Sequence, residues 1–132
     1  MEEKHVVTNF LEFEGKILIL RRSKKVGTYR GRWAGVSGYI EENVDKQAII
    51  EINEETSLTE KDLTLIKKGE PVVVFDRQIN RKWVVHPYRW QIKDPQKIKI
   101  DWEHTEIRWI EPSHLSRYLT VPGLKKAWEK VK

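Results

Sequence analysis

One segment with clear helical periodicity stands between stretches that read as strand, so this chain has to fold by laying helix against sheet. In it Val44, Ala48, Ile49 and Ile52 recur at helical spacing up to Thr56-Ser57. Asn43 is a suitable N-cap, and Asp45 suits the positive end of the helix. Upstream, 5–13 and 16–21 read as two strands joined by a tight turn at Glu14-Gly15. An aperiodic basic loop follows over 22–32, then a short strand or turn over 33–40 bracketed by Gly35 and Gly38. Downstream, 59–62 reads as a capped turn. The segments 63–66, 71–76, 82–93 and 97–100 are rich in β-branched and aromatic residues, and 105–110 alternates as a final strand. Pro112-Ser113 can open a short helix through Leu119, and 122–132 suits a terminal helix. These elements predict an α/β layered fold with a mixed sheet, in a single domain spanning 1–132.

Composition narrows the function classes. With six tryptophans, four tyrosines and three phenylalanines in 132 residues, the chain is too aromatic for a disordered segment. It has no cysteine, which excludes disulfide scaffolds, thiolate zinc sites and cysteine nucleophiles, and which fits an intracellular, cytoplasmic protein. The aliphatic run Ile17-Leu18-Ile19-Leu20 is far shorter than a membrane helix, and Met1-Glu2-Glu3-Lys4 does not open a signal peptide, so no membrane partner is expected. The histidines show no ligand spacing, and no serine motif suggests a triad. The net charge of +5 is segregated: Arg21, Arg22, Lys24, Lys25, Arg30 and Arg32 fall in one stretch without acids, whereas 41–55 is strongly acidic.

Within that acidic stretch, Glu51, Glu54 and Glu55 stand at i, i+3 and i+4 and therefore share one face of the helix. Packed like charges are unfavourable unless a cation neutralises them, and oxygen-only ligands suit Mg²⁺ or Mn²⁺. Spacing alone fits an ordinary glutamate-rich surface helix equally well, so the flanking residues have to decide.

Those flanks are Trp33-Ala34-Gly35-Val36-Ser37-Gly38-Tyr39-Ile40-Glu41 before the helix and Glu51-Ile52-Asn53-Glu54-Glu55-Thr56-Ser57-Leu58 at its end. With them the chain resembles the Nudix hydrolase family, whose signature runs G-x5-E-x7-R-E-U-x-E-E-x-G-U, where U is a bulky aliphatic. Gly38 matches the first glycine, Glu51 the glutamate of R-E, Ile52 the first aliphatic, Glu54-Glu55 the E-E pair and Leu58 the closing aliphatic. A tryptophan shortly before the glycine and a late glutamate ahead of Trp109, in E-x5-W form, extend the resemblance. The chain departs from the signature in three ways. Gly38 to Leu58 spans 21 residues rather than 23, Ile50 stands for the arginine, and Ser57 stands for the last glycine. The first signature glutamate has no clear counterpart; Glu41 and Glu42 are the acids nearest its place.

The resemblance implies an α/β/α sandwich with a mixed sheet and a Mg²⁺-dependent (or Mn²⁺-dependent) pyrophosphohydrolase acting on a nucleoside diphosphate derivative. Glu51, Glu54, Glu55 and the backbone carbonyl of Ser37 would be metal ligands. Glu103 would be a further ligand or the general base, ranked ahead of Asp101 and Glu106. Arg30 and Arg32 are the candidates for phosphate contact and Trp33 for substrate contact. The second reading is a catalytically weak Nudix-like module that binds nucleotide or RNA through the basic stretch and nearby aromatics. A homodimer is compatible with either.

Overall fold

The computed structural model describes residues 1–132. Its centre is β1 (Glu2–Phe13), which turns at Glu14-Gly15 into β2 (Lys16–Arg22). Both turn residues have positive φ, 51° and 79°, as a two-residue hairpin requires. β3 (Trp33–Ala34) and β4 (Val36–Tyr39) precede the helix α1 (Val44–Thr56). β5 (Leu63–Lys68), β6 (Val72–Asp76), β7 (Arg81–Ile92) and β8 (His104–Ile110) complete one mixed sheet, followed by the helix α2 (Leu124–Glu129). The main path of the sheet runs β3-β2-β1-β7-β5, with β4 paired to β1, β6 to β7 and β8 to β2. β1 and β7 lie parallel over nearly their whole length, from Glu2 opposite Arg81 to Glu12 opposite Gln91.

The unbroken aliphatic run in β2 follows from burial on both faces of the sheet. Ile17 and Ile19 join Phe10, Trp83, Val85, Leu124 and Trp128 on the α2 side, whereas Leu18 and Leu20 join Leu11, Ala48, Ile52 and Tyr88 on the α1 side. Helix therefore covers both faces, giving the expected α/β/α layering. No helix is long and apolar enough to cross a membrane.

Asn43 caps α1 as expected, with its Oδ1 accepting from the Lys46 amide at 3.0 Å. The far end closes at Ser57, which is held in the left-handed region at φ 70° where a glycine is unstrained. Ser57→Gly should therefore raise stability by about 0.5–1 kcal/mol, measured as an upward shift in a thermal or urea melt. An unchanged or lower midpoint would show that the Ser57 hydroxyl offsets the backbone strain.

Two expectations need correction. Residues 97–100 form no strand: Asp94 Oδ1 accepts from the Gln96 amide, Pro95 opens a 3₁₀ turn over Pro95–Lys97, and Lys99 N–H bonds to Thr56 O instead of a strand. The C-terminal helices are also shorter than expected. Pro112–Arg117 is a 3₁₀ turn, and α2 begins only after Gly123, whose φ of 83° breaks the helix there.

Candidate active site

β4 and α1 are held in place by one buried side chain. Asn9 on β1 donates to the carbonyls of Val36 and Ala48, both at 3.2 Å, and accepts from Trp90 Nε1 at 2.8 Å. All its polar atoms are used, so β4, α1 and β7 are fixed relative to β1. That geometry brings the last two turns of α1 against Ser37-Gly38. The side chain of Glu51 fills the space beside Gly38, where a Cβ would stand 2.1 Å from its carboxylate carbon. Gly38 is thus a glycine because a carboxylate occupies its side-chain position.

Behind Glu51, Glu55 is 1% exposed, and its Oε2 has no hydrogen-bond partner. Its Oε1 lies 3.4 Å from Nε2 of the buried His104. His104 Nδ1 stands 2.9 Å from Asp101 Oδ1, and since a carboxylate only accepts, Nδ1 is the donor. This leaves Nε2 unprotonated in the neutral ring and facing Glu55, and burial holds the imidazole below its usual range. Burial first, then the nearby Glu51, raises the Glu55 carboxyl well above the ordinary range; burial also raises Glu51. A buried carboxylate with an unused oxygen is costly and is ordinarily explained by function.

A cavity of about 300 Å³ opens in front of these groups. Glu51, Glu54 and Glu103 give it an acidic side, joined by Ser37, Gly38 and Glu41. Val6, Val85, Trp83 and Leu124 give it an apolar side, and Tyr39 stacks on Trp83 with ring centroids 6.2 Å apart. Arg22 adds a cation. Its guanidinium is steadied by Thr28, donating from Nε to the carbonyl at 3.0 Å, and burial lowers its pKa against the opposing pull of Glu55 and Glu103. Glu103 is raised, chiefly by burial and then by Asp101, while Arg22 pulls it down. Its loop is tied to the sheet by Ser23 N–H donating to Glu103 O at 2.7 Å.

Of the residues singled out from sequence, Ser37, Glu51, Glu54 and Glu103 line this cavity, and Glu55 lies buried behind it. The carboxylates are not already gathered: no three His, Asp or Glu side chains stand at metal-ligand spacing. Three candidates lie elsewhere. Trp33 is buried, bonded through its backbone to Leu119 and Val121 and packed edge-on against Tyr118. Arg30 and Arg32 line a separate, neighbouring cleft. Sequence reasoning did not single out Arg22 or Tyr39, did not choose Trp83 among the aromatics, and did not foresee the His104–Asp101 contact. Arg22 was visible only as one of six cations, while Trp83 was one aromatic among many.

Comparison with known proteins decides the family. The model of the NUDIX domain matches residues 3–130. The chain belongs to the NUDIX domain family. Among solved structures, this Nudix chain is similar to the MutT protein of Methanosarcina mazei Go1, at 21% identity and a TM-score of 0.81, with 98% of this chain and 93% of that one covered. It is also similar to an Ap4A hydrolase of C. elegans solved as a binary complex, at 17% identity and TM-score 0.75, covering 98% and 94%. A third is the NUDIX domain of Shewanella oneidensis NrtR complexed with ADP ribose, at 14% identity and TM-score 0.73, covering 98% and 86%. No curated sequence matches. The α/β fold agrees with these neighbours.

Proposed function

We propose that this chain hydrolyses the pyrophosphate bond of a nucleoside diphosphate derivative with Mg²⁺ or Mn²⁺ held by Glu51, Glu54, Glu55 and the Ser37 carbonyl. The observation that carries the proposal is the buried Glu55 with an unpartnered oxygen behind Glu51, whose own carboxylate is seated against Gly38. The donor set is all oxygen, which suits a hard divalent cation. When bound, such ions supply charge neutralisation at the diphosphate and acidify an attacking water.

The chain's own groups divide the remaining work. Glu51 is steadied by Gln47, which donates from Nε2 to its Oε1 at 3.0 Å. The Ile50 position, where the family signature has arginine, is 45% exposed and cannot orient a carboxylate, so Gln47 stands in for that positioning. Arg22 offers positive charge to phosphate oxygens at the acidic side. Tyr39 and Trp83 offer aromatic surface to a nucleobase. The Ap4A hydrolase and the ADP-ribose complex among the similar structures support a nucleotide-like diphosphate as the substrate class. The absence of cysteine supports a cytoplasmic setting.

Glu103 is assigned as general base for the attacking water. Its rivals are engaged: Asp101 accepts from His104, and Glu106 is paired with Arg21 at 3.1 Å. Glu103→Gln should lower kcat by about a hundredfold while the Kd of a methylene-bridged diphosphate changes less than about twofold. If the variant keeps parental kcat and Asp101→Asn or Glu106→Gln is inactive, the role passes to that neighbour.

The test of the whole reading is a panel of nucleoside triphosphates, nucleotide sugars, dinucleotides and ADP-ribose, incubated with Mg²⁺ or Mn²⁺ and scored for phosphate products. Release from at least one compound only with metal is the expected result. A different outcome, with no release from any compound but RNA binding that weakens steeply with salt, would favour the binding-module reading.

A further inference from the structure

Two side chains read from sequence as phosphate contacts, Arg30 and Arg32, are left without a role by the acidic cavity. They line a cleft of about 570 Å³ between the basic loop and the turn joining β6 to β7, together with Phe75, Asp76 and Ile79. This cleft adjoins the acidic cavity, because Thr28, Tyr29 and Pro122 line both. Resting on the reading above, we infer that the cleft is a second substrate subsite, built for a far arm of the diphosphate that carries an additional phosphate and an aromatic ring.

The loop is held so that it presents its cations there. Tyr29 lies in the left-handed region at φ 49° and Gly31 at φ 76°. The Tyr29 hydroxyl donates to Asp76 Oδ2 at 2.6 Å and accepts from Trp83 Nε1 at 2.9 Å, which pins the loop to β6 and β7. A non-glycine residue in the left-handed region costs free energy, and here two hydrogen bonds from the sheet hold it there. Tyr29 therefore fixes the partition between the two cavities.

Arg30 and Arg32, which follow Tyr29 in the loop, keep their charge free of carboxylates, Arg32 lying 5.7 Å from the Tyr29 ring centroid. Arg30 donates from Nε to Val26 O at 2.8 Å, and Arg32 from Nη1 to Thr120 O at 3.4 Å. Neither has a carboxylate partner, in contrast to Arg21, Arg81 and Arg89, which pair with Glu106, Glu2 and Glu12. Backbone anchoring on neutral carbonyls orients a guanidinium while leaving its remaining donors and full charge for an anion. The one acid of the cleft, Asp76, already accepts from Tyr29 at one oxygen and from the Gln78 amide at the other. Opposite the arginines, Phe75 is 60% exposed with the Lys82 ammonium 6.0 Å from its ring centroid, and Ile79 is 41% exposed. An exposed phenylalanine beside unpaired cations fits a ring that stacks while its phosphate is gripped. A substrate ending at the diphosphate would leave all of these groups unused.

The experiment measures binding without turnover, so it stands apart from the hydrolase reading. Calorimetry would compare two uncleavable methylene-bridged analogues: a one-armed nucleoside diphosphate and a two-armed dinucleoside polyphosphate. The parent should bind the two-armed analogue at least about tenfold more tightly, and Arg30→Gln with Arg32→Gln should erase most of that preference. Phe75→Ala, at an exposed position, should erase part of it with the fold intact by circular dichroism. Equal affinity of the parent for both analogues, or a preference that survives all three substitutions, would overturn the inference. So would a short 5′-triphosphorylated RNA that binds far more tightly than either analogue with a steep salt dependence, which would assign the cleft to nucleic acid. Loss of hydrolysis across the substrate panel, with the two-armed preference intact, would refute the catalytic reading alone.

Discussion

Glu55→Gln should melt higher than the parent in metal-free buffer at pH 7, by about 5 °C or more, and, with Mg²⁺ or Mn²⁺ supplied, turn over at least about a hundredfold more slowly. The gain comes from burial. Glu55 is 1% exposed and has an unpartnered oxygen, and its carboxyl group is raised well above 4.5 chiefly by desolvation. For a carboxyl raised in the folded state, the stability contribution is intact below the unfolded value near 4.5. It is lost as pH rises through the folded value. The glutamine carries no charge, so its advantage should be absent near pH 4 and grow on the way to neutrality. Its amide can also donate towards the unprotonated Nε2 of His104, which lies 3.4 Å from Glu55 Oε1. An ordinary surface glutamate would show neither the gain nor the loss. A variant that melts with the parent at both pH values and keeps its turnover would remove Glu55 from the site.

Gly38→Ala separates geometry from stability. A Cβ at this position would meet the Glu51 carboxylate at 2.1–2.5 Å. The obstructing group is the free end of a flexible side chain, so the fold should lose little, about 1 kcal/mol or less. The carboxylate itself has to leave its seat and its bond to Gln47. Activity should therefore fall by at least about tenfold, since small displacements of a positioned group are expensive in rate. Parental activity in a well-folded Gly38→Ala protein would show that the seating of Glu51 is incidental.

Which parts of this molecule were legible in the sequence follows from how local each feature is. The helix from Val44 to Thr56 was readable because its cap, its period and its acidic face all lie within a few turns. The same is true of the hairpin at Glu14-Gly15. The carboxylates Glu51, Glu54 and Glu55 share this local origin, and their spacing pointed to one face before any tertiary contact was known. Residues 97–100 misled because their apolar residues, Ile98 and Ile100, are half-buried against the α1-side core without pairing into the sheet. The cations could not be sorted, since the route of the basic loop is set by Tyr29 reaching Asp76 and Trp83 far along the chain. Trp33 looked available next to a glycine turn, but the backbone of 119–121 closes over it. His104 carried no ligand spacing because its partners, Glu55 and Asp101, meet it only in the folded chain.

If the Glu51–Glu55 cluster holds a divalent cation for cleavage of a diphosphate, the protein must bind Mn²⁺ through these carboxylates. Electron paramagnetic resonance of free Mn²⁺, titrated into the protein with a methylene-bridged nucleoside diphosphate present, tests it most directly. The parent should deplete the free Mn²⁺ signal with saturation at one or more ions per chain, and Glu55→Gln should weaken that binding by at least about tenfold. A free signal that rises equally with added Mn²⁺ in parent, variant and protein-free buffer would contradict the account.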